Sequence, residues 1–577
     1  MRLDPRDDAG VRPALGRIHN VTALRSEDEG AAAMSRAWTL IFRVIALAGA
    51  LPLALTKHLP FADLPEHVAV IATLRHWWTP SWRSQENFVV EGLLRTQYFL
   101  YDIVGAALAF PLGTAERANF VIVVATAIGF PYALAALLRS LGRDPRFGLF
   151  GVLLFWNRAL AEGLLPFVTS IPVTLFTLSL VVKRARAAAP LAKDWLRLAL
   201  LTLAIFYLHL SSYLLFVLAA GVVVVGLRRP DAPVFWSLSG VRQLARGSSW
   251  LAPSLLVALL FAASSSVTHP DLREGAHAET VRFLPKMHLL GQLPLWMHDF
   301  WTTTFDDVFA LVAWVGIGTA IVAARSSVRG EVERADGRVA ASLVLTVGLL
   351  YFTLPTQVGF AFILDLRMAP FVGAFFVLLA APPPGRWREL SVATVAVAAL
   401  GLAATSAVEM VRLERDEGRH IDTVLRNLPE GKRLLSLIFD PRSRYTKIAP
   451  HLHIGSYYRA RYGGLASFSF SELPHWPVRY RKGAAPPAKP IVFWDFDPCQ
   501  YRNTSDGPYY DFVLVRGRER PFFEGLPGPR FRLIGGARDL RLYERLRDAP
   551  FVPGTDLTGP CVHADGASEP ALPSVYP

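Results

Sequence analysis

Only two cysteines, Cys499 and Cys561, occur in 577 residues, and no Cys-x-x-Cys or Cys/His spacing marks a structural zinc site. Charge is scarce too. Asp, Glu, Lys and Arg make up 19% of the chain against 52% hydrophobic residues, and the mean hydropathy is +0.32, which excludes an ordinary soluble protein. There is no Gly-rich phosphate loop, so ATP-driven transport has no support. His-Glu-x-x-His and Gly-x-Ser-x-Gly are also missing, which removes the commonest metalloprotease and serine-hydrolase signatures. No internal repeat is present. Residues 1–33 are polar and lack the apolar core of a secretory signal.

What is present is a series of apolar runs near the roughly 20 residues that a spanning helix needs. Clear runs lie at 38–56, 118–138, 164–182, 250–266, 308–324, 339–355, 368–381 and 391–408, with weaker ones at 96–112 and 147–157. The run 196–227 fits one tilted helix or two short ones broken around His209-Leu210-Ser211-Ser212. The pattern predicts a polytopic α-helical membrane protein with about 11 transmembrane helices. The net charge of +13 does not form one patch but sits in short loops, which is the positive-inside signal and not a nucleic-acid footprint. Lys183-Arg184-Ala185-Arg186, Arg325 to Arg338 and Arg386-Trp387-Arg388 are expected to be cytoplasmic, and the acidic loop 267–304 outside. The parity does not close through 96–182: Arg139, Arg143 and Arg146 ask for a cytoplasmic loop where a simple count puts an external one.

Three sections follow: a polar cytoplasmic tail (1–36), a membrane section (37–410) with outer loops 57–95 and 267–304, and a C-terminal section (411–577) richer in Pro and Gly. The last section carries a helical segment at 412–427 and strand-like runs at 433–439, 490–494, 512–515 and 531–534, which predict an exported α/β domain of about 160 residues, large enough for its own core. Ala567 to Pro577 reads as a frayed tail. In an oxidising compartment Cys499 and Cys561 could pair, and two buried thiols are the equal alternative.

Ionisable groups at membrane depth are costly and are functional candidates by default. Asp63 heads them, just beyond the first apolar run. It reads as a helix N-cap with Glu66 as its capping-box partner. The spacing Leu64, Val68, Ile71, Leu74, Trp78 then predicts an interfacial amphipathic helix. The alternative points the carboxylate into a cleft at the outer face, where it takes a proton from an acceptor hydroxyl or binds a divalent cation such as Mg or Mn. His67, four residues on, shares that face. His209 either satisfies backbone groups at a helix break or lines the same cleft. Arg367 is suited to hold a lipid phosphate through its fork, with Asp365 beside it, or the two pair with each other. The outer loop 267–304 holds His269, Asp271, Glu274, His277, Glu279, Lys286, His288, His298 and Asp299, read mainly as solvated surface.

This arrangement resembles the GT-C superfamily of integral-membrane glycosyltransferases, in the bacterial branch related to aminoarabinose and protein mannosyl transferases. The resemblance rests on Asp63 after the first helix, then Tyr98-Phe99-Leu100-Tyr101, Phe110-Pro111-Leu112-Gly113, Glu116-Arg117 and Leu141-Gly142-Arg143 in order. It covers 38–182 well and the Arg367 region and exported domain more loosely. Two features depart from the branch: Arg95-Thr96-Gln97 stands where Lys-Pro-Pro is frequent, and Leu64 follows Asp63 where a second acid is frequent. The resemblance implies a bacterial inner-membrane enzyme that moves a sugar from a polyprenyl-phosphate donor to an extracytoplasmic acceptor. Asp63 would be base or metal ligand, and Arg367 would neutralise the lipid phosphate. A transporter or flippase of a lipid-linked or anionic substrate, and a non-catalytic envelope scaffold, are the rival readings.

Overall fold

A computed structural model describes residues 35–187, 191–228, 237–264, 281–324, 330–358, 361–382, 385–473, 476–486, 498–517, 523 and 528–547. The chain is a multi-pass helical membrane protein. Among the described residues, six helical segments are long and apolar enough to cross a bilayer, and a bent pair at 238–264 makes a further candidate. The helices used below are α1 (Arg36–Ala50), α2 (Leu64–Arg75), α3 (Phe99–Leu112), α4 (Ala115–Ser140), α5 (Leu165–Arg186), α6 (Ala192–Leu208), α7 (Leu210–Gly226), α8 (Phe305–Ala323), α9 (Glu331–Thr353), α10 (Ala369–Val377), α11 (Arg386–Leu413), α12 (Arg419–Leu425) and α13 (Ser456–Tyr462).

The bundle has two chemically different ends. At one end, the carboxylate of Asp144 binds Arg146 and Arg388, and Arg146 binds Glu389 at 2.9 Å while lying 4.8 Å over the Trp38 ring. Arg186, closing α5, pairs with Asp336. The starts of α1 and α11 and the ends of α4 and α5 therefore meet at this arginine-rich end. The other end carries the C-terminal section, where Arg461 on α13 binds Glu116 at the start of α4 and Asp422 on α12.

This division also locates the segment 96–146. The weaker apolar run at 96–112 forms α3, whose 14 residues span about 21 Å, short of a bilayer core. Both of its ends lie at the C-terminal-section end: Tyr98 meets His209, and Thr114 lines a cleft with Asp422 and Arg461. The helix lies along that end, not through the bundle. Arg139, Arg143 and Arg146 consequently fall at the arginine-rich end with Arg186 and Arg388. The run 196–227 is two helices, α6 and α7, broken at His209, whose φ of −163° and ψ of 123° are extended.

The C-terminal section holds a mixed sheet ordered β6-β5-β8-β10-β9, from β5 (Arg433–Ile438), β6 (Leu465–Ala466), β8 (Phe512–Arg516), β9 (Phe531–Ala537) and β10 (Leu540–Arg545). β5 pairs in parallel with β6 and β8, and the rest is antiparallel. The strand expected at 490–494 lies outside the described residues, as does 567–577. Outside the sheet, β2 (Val281–Arg282), β3 (Gln357–Val358) and β4 (Ala361–Phe362) form a small antiparallel sheet of their own, and β1 (Phe88–Val90) pairs with β7 (Val478–Tyr480), so the loop expected at 57–95 is stitched to the C-terminal section. Nor is there a break at residue 410: α11 runs through Leu413 into a wide helical turn at Glu414–Gly418 and then α12. Cys499 is disulfide-bonded, and Cys561, the chain's other cysteine, lies outside the described residues.

The expected interfacial amphipathic helix is instead buried all round. Leu64 through Thr73 of α2 are inaccessible, because the bundle covers one face and α13 with residues 468–473 and Trp476 covers the other. Hydropathy spacing read one apolar stripe there, and the stripe's polar neighbours Glu66 and His67 proved to be buried as well.

Candidate active site

Asp63 sits where the extended stretch after α1 turns into α2. Its amide donates to the Glu162 carbonyl at 3.1 Å, and the Ala62 amide to Ala161 at 2.9 Å, which clamps this corner against the turn before α5. The clamp requires Gly163. Its φ is +83°, and a Cβ there would clash with the Asp63 backbone nitrogen. Gly163→Ala is therefore expected to displace Asp63 and to lower turnover about 10²-fold while the protein still melts as a folded species. Steady-state rates beside a thermal melt test this.

Asp63 stands at the N-cap position, but its carboxylate makes no capping hydrogen bond. Glu66 is not a capping-box partner either; it accepts from the Phe470 amide at 2.8 Å and from the Ser456 hydroxyl, and it faces Arg459. The Asp63 carboxylate is thus left for other work, with 16% of the side chain reaching solvent. Its Oδ1 lies 3.6 Å from Nε2 of His453, beyond hydrogen-bonding range. Burial pushes the His453 imidazole down to about 4, so it is neutral. Burial also raises the Asp63 carboxyl well above the carboxylate range, the charges of Glu162 and Glu66 add to that, and the Arg367 guanidinium opposes it.

Glu162 was not legible as a candidate. Burial lifts its carboxyl to about 7, against the pull of Arg158, whose Nε stands 3.6 Å away. Its only local marks are an i,i+4 arginine and the glycine after it.

Arg367 and His209 come together. The buried guanidinium donates from Nη1 to His209 Nε2 at 2.9 Å, and its Nε is buried with no hydrogen-bond partner among the described residues. The backbone at the α6/α7 break is closed by its own bonds, His209 amide to Ile205 and Tyr213 amide to His209, so the imidazole is not needed there. Tyr98 stands 3.4 Å from the same imidazole nitrogen and packs on Trp476. Asp365 does not pair with Arg367. It accepts from the Leu366 amide and from the Thr356 hydroxyl at 2.6 Å, which makes it the clasp of the turn that presents Arg367, and burial raises its carboxyl.

His67 goes elsewhere. It is buried among Tyr101, Phe470 and Trp476, with Nδ1 3.8 Å from Asp102, and touches Asp63 only through the helix backbone. In the loop 267–304, residues 267–280 lie outside the described residues. Of the rest, Asp299 pairs with Lys447, Lys286 donates to the Phe352 carbonyl, and His298 accepts from Trp314 at 3.0 Å, all structural contacts. Among the described residues no group of three or more His, Cys, Asp or Glu is arranged to hold a metal ion.

A multi-pass bundle with a capping C-terminal section, and an acid at the corner after the first helix within the field of a buried arginine, is a fold shared with known membrane proteins. Among solved structures of similar fold is ArnT from Cupriavidus metallidurans bound to undecaprenyl phosphate, at 12% identity and a TM-score of 0.54, with 89% of this chain and 99% of that chain covered. The arabinofuranosyltransferase AftD from Mycobacteria also aligns, at 14% identity and a TM-score of 0.48, over 91% of this chain and 40% of that one. No protein-family model matches the chain, and no curated protein matches it by sequence.

Proposed function

We propose that the protein is a membrane glycosyltransferase that moves a sugar from a polyprenyl-phosphate donor to an extracytoplasmic acceptor. One observation carries this: Asp63 keeps an uncapped, desolvated carboxylate within the field of buried Arg367, whose Nε has no hydrogen-bond partner among the described residues. ArnT, of like fold, holds undecaprenyl phosphate, which supports a lipid phosphate as the group Arg367 meets.

In this reading Arg367, oriented by His209, binds the donor phosphate, and Asp63 takes the proton from the acceptor hydroxyl. The hydroxyl oxygen bonds to the anomeric carbon, the bond from that carbon to the phosphate oxygen breaks, and its electron pair leaves with the lipid phosphate. The raised pKa of Asp63 suits it to this step, because a stronger base drives the transfer. A divalent cation, Mg or Mn, would be held by Asp63 and Glu162. The fit is to two adjacent carboxylates whose mutual repulsion a cation would relieve, and its contribution would be charge neutralisation at the donor.

The chain path supports eleven passes, with the arginine-rich end cytoplasmic and the C-terminal section extracytoplasmic in a bacterial inner membrane. The residues between Pro145 and Ala161 would form one broken pass.

Glu162→Gln tests the electrostatics. Removing that like charge lowers the Asp63 pKa, so the acid limb of the pH–rate profile is expected to move to lower pH. An unmoved limb would show that Asp63 is not the titrating group. The substrates are tested by mass spectrometry of polyprenyl-phosphate sugars and envelope glycans from wild-type, deletion and Asp63→Asn cells. An accumulated donor and a glycan short of one sugar in both mutants would establish transfer. A change in the deletion alone would instead favour a transporter or scaffold.

A further inference from the structure

A second polar cavity, of about 360 Å³, opens at the arginine-rich end, across the bundle from Asp63. Arg143, Arg334, Gly337, Arg338, Ala341 and Leu379 line it. We propose that this cavity binds the phosphate of an anionic phospholipid from the adjacent leaflet, with the acyl chains laid along α9.

The charge argument comes first. Three guanidiniums surround the cavity, and among the described residues its lining holds no carboxylate. Arg334 and Arg338 are exposed, one helical turn apart on the same face of α9, and make no ion pair among the described residues. Like charges at that spacing repel. Asp336, which does not line the cavity, is buried, pairs with Arg186 and also lies within the field of Arg143. Arg143 itself is 2% exposed and reaches the cavity from within the packed bundle. An arginine fork matches a phosphate bidentately, and basic pockets between helices at this kind of membrane face take lipid head groups.

A lipid, not a free phosphate, follows from what lies beyond the arginines. The face of α9 bearing Arg334 and Arg338 continues through Ala341, Leu345 and Leu349, and these three are exposed, the leucines at 63% and 55%. A cationic pocket running directly into an apolar stripe along one helix fits a phosphate with chains attached. Leu379, just past α10, forms the opposing wall. None of these residues belongs to the Asp63 site, so the assignment stands apart from the glycosyltransferase reading.

Native mass spectrometry tests it, on the full chain transferred from nanodiscs of equimolar phosphatidylglycerol and phosphatidylcholine. The wild type is expected to retain phosphatidylglycerol selectively. Arg334→Ala with Arg338→Ala should weaken that retention about 30-fold. Ala341→Trp, which leaves the arginines and fills the groove, should weaken it as well. Arg334→Lys with Arg338→Lys should restore most of it. Glycerol 3-phosphate at equal concentration should not compete. Equal retention of both lipids by the wild type, unchanged retention in either the double alanine variant or Ala341→Trp, or full competition by glycerol 3-phosphate would each overturn the proposal.

Discussion

Asp63→Asn is expected to lower the transfer rate about 10²–10⁴-fold, the usual contribution of a positioned general base, with almost no change in melting temperature. The two halves of that expectation have separate causes. The carboxylate is desolvated, raised in pKa and opposed by Arg367, so its charge is tied to the cleft. Its side chain makes no capping bond to α2, so the helix loses nothing when it is replaced. Even where a cap is in use, Asn serves nearly as well as Asp. Purified protein in detergent, assayed with polyprenyl-phosphate sugar and melted in parallel, separates the two. Near-normal transfer would remove Asp63 from the chemistry, and a large drop in melting temperature would return it to the role of a structural cap.

Candidate residues were more legible in the sequence than the architecture was. Asp63, His209 and Arg367 were legible because an ionisable group among apolar runs stands out without any tertiary information, and two of them meet at 2.9 Å. The arginines at 139–146 gather with Arg388 and Glu389 at one end of the bundle. Hydropathy misjudged 96–112, since an apolar helix lying under a capping section looks the same as a short span. Glu66 and His67 matched a capping box and a shared catalytic face by local spacing. Both are buried because the C-terminal section lies across α2, a contact between residues some 400 positions apart that no local pattern encodes. Glu162 and His453 escaped for the same reason: their meaning comes from the backbone clamp at Gly163 and from α13, not from their neighbours in sequence.

Glu66→Gln should have the largest effect on stability, about 3–5 kcal/mol, the cost of leaving a buried charge without its partner. Glu66 and Arg459 are 0% and 1% exposed, and Glu66 is also the acceptor for the Phe470 amide and the Ser456 hydroxyl. Gln preserves the side chain's shape and one acceptor oxygen, so the loss falls on Arg459, whose guanidinium then sits in a dry seam between α2 and the C-terminal section. Because that seam holds the section onto the bundle, the expected readout is a lower melting temperature together with faster proteolysis after residue 425. A second effect has a definite sign. Glu66 is one of the charges that raise the Asp63 carboxyl, so its neutralisation should move the acid limb of the pH–rate profile down in the molecules that remain folded. Glu66→Gln combined with Arg459→Met removes both charges and should recover most of the lost stability, since an apolar replacement of a buried pair is often neutral or better. The pH shift should persist in the double variant. Recovery of stability with the limb still displaced would assign Glu66 two separable roles, one as partner of Arg459 and one as a background charge on the Asp63 carboxyl.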